Sequence, residues 1–297
     1  MLEALAASSG SLSASDLART LGLSTSTLSL ILGTLREASY VERLPDRTYR
    51  LGFGLMRLLA GLGDRFPLLG AANEELARLA AAVDCGCTLA RLGEAGQEVI
   101  LAVRVPAELG IRPGVHLPLD PPHGAVAMAW RSPREIDRWL AEASGEAREE
   151  LATLRRAMAD VRRLGYAVYG IRKDSGPMID QLRGLLGAVQ SAPSADALRE
   201  QLERLARAVG RRLYTQAELA ARTRLAVSHV IAPVFGPDAQ PAYLVSVHVT
   251  RDSAARDDLA RYVGALTVTA KSLTARIGGR APKDVSPPAA AARSKGR

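Results

Sequence analysis

The chain has 297 residues, a net charge of +8 and 47% hydrophobic side chains, enough for two cored domains at ~100–200 residues each. Aromatic residues make up only 4%, too few for a surface that stacks single-stranded bases, and two cysteines, Cys85 and Cys87, are no disulfide framework. No apolar run approaches the ~18 residues of a membrane span, and the opening Met-Leu-Glu-Ala-Leu lacks the basic region of a signal peptide, so a cytoplasmic protein with no membrane partner is expected.

The charge is unevenly placed. Up to Phe66 seven arginines face six carboxylates, whereas from Gly279 onward five cations face Asp284 alone. Bulk basicity therefore argues little about what the first domain binds. Along the chain, Ala14 to Leu21 has helical spacing, with Leu17, Ala18 and Leu21 on one face. Gly22 and Leu23 make a turn, and Ser24 is placed to cap a second helix running to about Ala38. In that helix Leu28, Ile31, Leu32 and Leu35 point to a core and leave Thr25, Ser26, Ser29, Leu30 and Gly33 outward. Ser39 to Arg43 and Thr48 to Leu51 read as strands around the turn Leu44-Pro-Asp-Arg47. This order is a winged helix-turn-helix pattern.

Gly54 to Arg65 and Pro67 to Val83 are amphipathic and read as helices, the second burying Leu76, Leu79, Ala80 and Val83. Mixed α and β signals follow: strands at Thr88 to Leu92 and Val99 to Val105, a helical run at His123 to Trp130, helices at Pro133 to Ala143 and Ala147 to Leu164, and a strand at Tyr166 to Ile171. Ser194 to Thr223 reads as a long arginine-rich helical region with an apolar stripe at Leu198, Leu202, Leu205, Val209 and Leu213. Its role as a packing face is better supported than any DNA contact by Arg204, Arg207, Arg211 and Arg212. Strands at Val227 to Phe235 and Ala242 to Thr250 and a helix from Ala254 to Ile277 close the domain. The proline- and alanine-rich basic end is expected to be disordered.

Leu17-Ala-Arg-Thr-Leu-Gly-Leu-Ser24, Ser26-Thr-Leu28, Leu35, Tyr40-Val-Glu-Arg43 and Tyr49-Arg-Leu-Gly52 resemble the winged helix-turn-helix of IclR-type transcriptional regulators. Arg112-Pro-Gly114, Leu117-Pro-Leu119, Gly165-Tyr-Ala167 and Ile231-Ala-Pro-Val-Phe235 are similar, in order, to that family's GAF-like effector domain. The resemblance implies an α+β protein with a winged helix-turn-helix over residues 1–53 and a linker helix over 54–66. A GAF-like α/β effector domain would follow over 67–278, with a helical insertion near 194–223, then a basic tail over 279–297. It further implies a homodimer or homotetramer that binds double-stranded operator DNA and answers to a small organic effector. Four features depart from the family pattern: the recognition helix has no basic or imidazole residue at Thr25, Ser29 or Leu30, the first helix is short, with only Met1 to Ala7 before Ser8-Ser-Gly10, so that a longer native N-terminus is expected, Asp120-Pro-Pro-His-Gly-Ala125 stands where small and hydroxyl residues are usual, and about 60 residues separate Ala167 from Ile231.

The candidate DNA contacts are Ser24, Thr25, Ser26, Thr27, Ser29 and Leu30 on the helix, and Arg43, Arg47 and Arg50 on the wing. Short hydroxyls there can reach base edges or phosphates, and wing arginines beside the backbone supply salt-dependent affinity. The candidate effector-binding set is Leu117, Leu119, His123, Gly124, Met128 and Cys87. Prolines fix this backbone, Gly124 would let a ligand approach, and His123 offers a donor or acceptor; the same residues also suit an ordinary loop and helix start. His116, His123, His229, His248 and the two cysteines lack any metal-ligand spacing, so neither metal nor cofactor is expected. With no nucleophile elbow, phosphate loop, dinucleotide fingerprint or metalloprotease motif, enzyme activity is not expected either. Two alternatives remain open: a ligand-binding or scaffold protein whose winged helix no longer reads DNA, and a sensor built on the Cys85 and Cys87 thiols.

Overall fold

The structure, a computed structural model, describes residues 1–8, 10–65, 67–93, 96–106, 109–143, 148–170 and 212–285. The chain divides into two compact units, Met1–Leu69 and Gly70–Arg297.

The first unit holds α1 (Leu2–Ala7), α2 (Ala14–Leu21), α3 (Thr25–Glu37), β1 (Val41–Arg43), β2 (Tyr49–Leu51) and α4 (Leu55–Arg65). Ser13 caps α2 by accepting from the Asp16 amide, and Gly22 ends it at φ +62°, a left-handed conformation that glycine adopts without a steric penalty. Ser24 then caps α3 by accepting from the Thr27 amide. The helical repeat turns Leu28 and Leu32 inward, where they meet Leu5, Leu17, Val41 and Tyr49 in one small core; Leu35 packs at its edge. Truncating such a residue to alanine costs about 2–5 kcal/mol, a large fraction of what so small a core provides. β1 and β2 pair antiparallel, Glu42 opposite Arg50 and Arg43 opposite Tyr49. Leu12 bridges to Tyr49 and ties the sequence before α2 to the wing.

The second unit is built on a seven-stranded sheet. After α5 (Pro67–Val83) come β3 (Gly86–Gly93), β4 (Gly96–Val103), β5 (His116–Leu117), α6 (Ala125–Met128), α7 (Pro133–Ala141), α8 (Arg148–Leu164), β6 (Ala167–Gly170), β7 (Arg212–Leu213), α9 (Gln216–Ala221), β8 (Arg224–Phe235), β9 (Pro241–Ala255) and α10 (Arg256–Arg276). The strand order is β5-β4-β3-β9-β8-β6-β7, with every described pair antiparallel. Side chains alternate between the two faces. One face carries Ala167, Tyr169, Ile231 and Leu244 into a core closed by Ala125, Val126 and Ala129 of the α6 region, Trp139 and Leu140 of α7, and Leu154, Met158 and Val161 of α8. The other face carries Cys87, Leu89, Val230, Val245 and Val247, all buried. α5 and α10 cover it, linked by the Ser272 hydroxyl donating to Glu75 at 2.9 Å.

Three expectations are corrected. The arginine-rich helix anticipated over 194–223 does not describe its C-terminal part, where β7 and α9 stand instead; its residues up to 211 lie outside the described residues. Leu213 enters the core as a strand residue, and Thr215 starts a new helix through a capping box with Glu218. Ala254 and Ala255 extend β9 rather than opening the last helix. The first part of the expected disordered tail is ordered: Gly279 and Arg280 donate backbone hydrogen bonds to Thr274 and Gly236, Asp284 pairs with Arg162 at 2.7 Å, and Val285 packs on the core. Residues 286–297 lie outside the described residues.

Candidate functional sites

In the first unit Ser24, Thr25, Ser26, Thr27, Ser29 and Leu30 are all exposed, as the helical repeat requires once Leu28 and Leu32 are fixed inward. Leu30 is a large apolar side chain, 74% exposed. The Ser24 hydroxyl serves mainly as the cap and lies 3.0 and 2.9 Å from the hydroxyls of Ser26 and Thr27. The three wing arginines are exposed but differ electrostatically. Arg50 is neutralised across the strand pair by Glu42 at 2.8 Å, and Arg43 lies over the Tyr49 ring at 5.9 Å. Arg47 forms no ion pair among the described residues and stands at the tip of the turn at φ +66°, unusual for a side chain of its size. Asp46 shapes that turn by accepting from the Thr48 amide and hydroxyl, which hold its carboxyl below the usual range. This face offers hydroxyls, one large apolar side chain and two wing cations, Arg43 and Arg47, without an ion pair among the described residues.

In the second unit the sheet register assembles a site that no local motif marks. Gly86 pairs with His248, His248 with His229, and His229 with Tyr169, so one transverse row crosses four strands. The Tyr169 and His229 rings stack at 4.5 Å and 10°, the His229 and His248 rings lie 6.3 Å apart, and His123 stacks on the far side of Tyr169 at 6.3 Å. The Tyr169 hydroxyl donates to the Pro122 carbonyl at 3.1 Å, with that of His123 at 3.2 Å, and so fixes the 120–124 loop over the row. The His229 Nδ1 lies 2.6 Å from the Ser228 hydroxyl and the His248 Nε2 lies 3.1 Å from the Thr88 hydroxyl. Both rings are half-buried and keep part of their surface accessible. Burial pushes the His248 imidazole down to about 4. Burial, then the neighbouring His248 and His123, hold His229 well below the ordinary histidine value. Both rings are therefore neutral near pH 7 and can donate or accept hydrogen bonds.

Of the sequence-derived effector set, His123 stands at this row. Gly124 serves a different need: a β-carbon there would lie 2.2 Å from the Leu119 carbonyl oxygen, so its small size lets two segments of this chain approach. That same carbonyl accepts from the Trp139 indole. Leu117 belongs to edge strand β5 opposite Gln97, and Met128 packs against the core. Cys87 pairs with Val247 and by strand alternation faces α10, away from the histidines. Burial pushes its thiol up to about 12, with the nearby Cys85 adding to the shift, and Cys85 is also raised, first by burial. Both thiols are weak nucleophiles at neutral pH. Thr88, the neighbour of Cys87, is the β3 side chain that touches the row. His229, His248 and Tyr169 were missed as site residues because their proximity is a product of register, which their sequence positions do not display. Among the described residues no three or more His, Cys, Asp or Glu side chains are arranged to hold a metal, and no helix is long and apolar enough to cross a membrane.

The family model that matches the chain is the IclR helix-turn-helix domain, over residues 1–45. Over those residues the chain is similar to the IclR helix-turn-helix domain. The match covers α1 to α3 and β1, the elements that present the exposed helix face. Solved structures of similar fold include an IclR transcriptional regulator from Alicyclobacillus acidocaldarius, with TM-score 0.54 and 20% identity over 90% of this chain and 91% of that one. HmgR of Pseudomonas aeruginosa gives 0.52 and 20% over 93% and 94%. An IclR homologue from Microbacterium hydrocarbonoxydans, solved as a complex with 4-hydroxybenzoate, gives 0.54 and 17% over 90% and 92%. At these identities the likeness is one of fold, an N-terminal helix-turn-helix followed by a curled antiparallel sheet domain. No curated protein matches the chain by sequence.

Proposed function

We propose that this protein is a transcriptional regulator, not an enzyme, whose IclR-type domain binds double-stranded operator DNA and whose sheet domain senses a small organic effector. The observation that carries the reading is the face of α3: in a domain matched to the IclR helix-turn-helix, Thr25, Ser26, Ser29 and Leu30 stand exposed while Leu28 and Leu32 close the core. A helix of this length enters the major groove, hydroxyls near its start reach phosphates or base edges, and Leu30 suits thymine methyls. Arg47 is the wing cation available to a phosphate. The effector site is the cluster of His123, Tyr169, His229, His248 and Thr88. A solved protein of similar fold is complexed with 4-hydroxybenzoate, which makes small acids natural first effectors to screen. The protein acts as a homo-oligomer in the cytoplasm, with the linker helix transmitting effector binding to the DNA-binding domains.

The test is a mobility shift of the full-length protein on the DNA upstream of its own gene, against scrambled DNA, across a salt series. Specific binding that survives competitor supports the regulator reading. Equal binding to both DNAs sinks it and favours a ligand-binding scaffold, for which the pairing of Arg50 with Glu42 and the absence of any basic residue on the exposed start of α3 already speak.

A further inference from the structure

Resting on the effector-sensing reading, we propose that the histidine row binds a small organic acid as its anion together with one proton, held by the His229 and His248 pair. Two basic rings stand side by side with no acid to balance them among the described residues. Around His229 and His248 the groups in contact are the Tyr169 ring from β6, the Ser228 hydroxyl from β8 and the Thr88 hydroxyl from β3, with the His123 ring beyond Tyr169. Val126, Leu154 and Met158 of the α6 to α8 side lie in the apolar cluster that Tyr169 joins. Among the described residues, burial and the neighbouring imidazoles are what act on the two rings, with no carboxylate, arginine or lysine beside them. Arg251, further along β9, lies instead over the Tyr262 ring at 6.0 Å, on the α10 side.

An anion beside these rings loses hydration and meets no fixed positive charge among the described residues, a costly state unless a counter-charge forms beside it. The imidazoles are the groups that can form one near neutral pH. Each has one ring nitrogen already engaged, His229 Nδ1 with Ser228 and His248 Nε2 with Thr88. The opposite nitrogens, His229 Nε2 and His248 Nδ1, have no hydrogen-bond partner among the described residues. A proton on either turns it into a charge-assisted donor to a carboxylate. At 6.3 Å the two rings repel each other when both are charged, which limits uptake to one proton shared by the pair. The face of Tyr169, 4.5 Å from His229, stabilises the imidazolium through the ring quadrupole.

The experiment is calorimetric titration of the full-length protein with benzoate, acetate and benzamide at pH 6, 7 and 8, in phosphate and in Tris. The two buffers differ in ionisation enthalpy and so count protons. In parallel, histidine-selective ¹⁵N NMR follows the rings. Uptake of about one proton is expected with benzoate, its affinity falling about tenfold per pH unit over this range. A histidine resonance should move to the imidazolium position on adding acid, and benzamide should bind more weakly without pH dependence. His229→Asn combined with His248→Asn, which keeps polar groups at both positions, should remove the proton uptake; the wild-type NMR result stands even if that variant misfolds. Acid binding without proton uptake, rings that stay neutral, benzamide as tight as benzoate, or no binding of either acid overturns the proposal. The mobility shift without ligand is independent of all these outcomes, so loss of the regulator reading and loss of this proposal are told apart.

Discussion

The two neutral histidines set a stability cost at acid pH that carboxylates do not explain. An unfolded histidine titrates near 6.5, whereas His248 in the fold is held down to about 4. Between those values the unfolded chain binds the extra proton, so stability is full above the unfolded pKa and is lost as pH falls toward the folded one. For His248 alone the loss between pH 7 and pH 5 is about 2 kcal/mol, and His229, lowered by burial and by its neighbours, adds to it. Urea denaturation of the second unit's transition at both pH values should show this drop, and His248→Gln should flatten it. An unchanged slope in that variant would mean the ring is not buried neutral. Gly124 is a second position where one atom decides. Gly124→Ala places a methyl 2.2 Å from the Leu119 carbonyl oxygen, backbone that cannot swing aside. It should destabilise the second unit by about 1–3 kcal/mol, as overpacking does, and lower its thermal midpoint by several degrees. An alanine variant of wild-type stability would show that the loop relaxes freely.

At the scale of elements, the wing tests DNA binding without disturbing the fold. Arg47 is both a wing cation without an ion pair among the described residues and a residue at φ +66°. Arg47→Gly removes the charge and the left-handed strain together, while adding backbone freedom to the unfolded chain, so stability should stay within about 1 kcal/mol of wild type. DNA affinity should fall about equally for operator and scrambled DNA, and the salt slope should decrease by about one. An unchanged slope removes Arg47 from the interface. The elements themselves were legible wherever a period repeats. Leu28, Leu32 and Leu35 gave the inward face of α3, Ser24 its cap, and the apolar alternation gave β3, β4, β8 and β9. The start of α9 was legible in principle through Thr215 and Glu218, but the apolar stripe that ends at Leu213 read more strongly as a continuing helix. The candidate site was less legible. Local signals, two prolines, a histidine and a glycine, led to the 120–124 loop, which does cover the row. They could not reach Tyr169, His229 and His248, separated by 60 and 19 positions and joined only by register. The same register separates Cys87 from the row, because adjacent strand residues face opposite sides.

For the whole molecule, the reading as a regulator of palindromic DNA requires two copies, since a two-fold operator mirrors a two-fold protein. The first unit presents an apolar surface suited to that association. In and just before α4, Phe53, Met56, Leu58 and Leu59 are exposed, Phe53 at 83%, and no described side chain of this chain covers them. Met56 and Leu59 are three apart and share one side of the helix. A second copy placed against this stripe removes it from water, each buried methylene contributing about 0.8 kcal/mol. It also holds two recognition helices together, so that binding of one half-site raises the local concentration of the other helix at its own. Met56→Glu combined with Leu59→Glu puts like charges on both sides of such a contact while leaving the first unit's core untouched. Sedimentation velocity should show weaker self-association. Affinity for DNA with two half-sites should fall roughly hundredfold, in line with the loss of avidity, while affinity for a single half-site changes little. Thermal unfolding of the first unit should change only by what the lost association contributed, because the replaced side chains are exposed within their own copy. If the double variant associates and binds two half-sites as tightly as wild type, α4 does not carry the contact, and the two-fold arrangement must be held by the second unit alone.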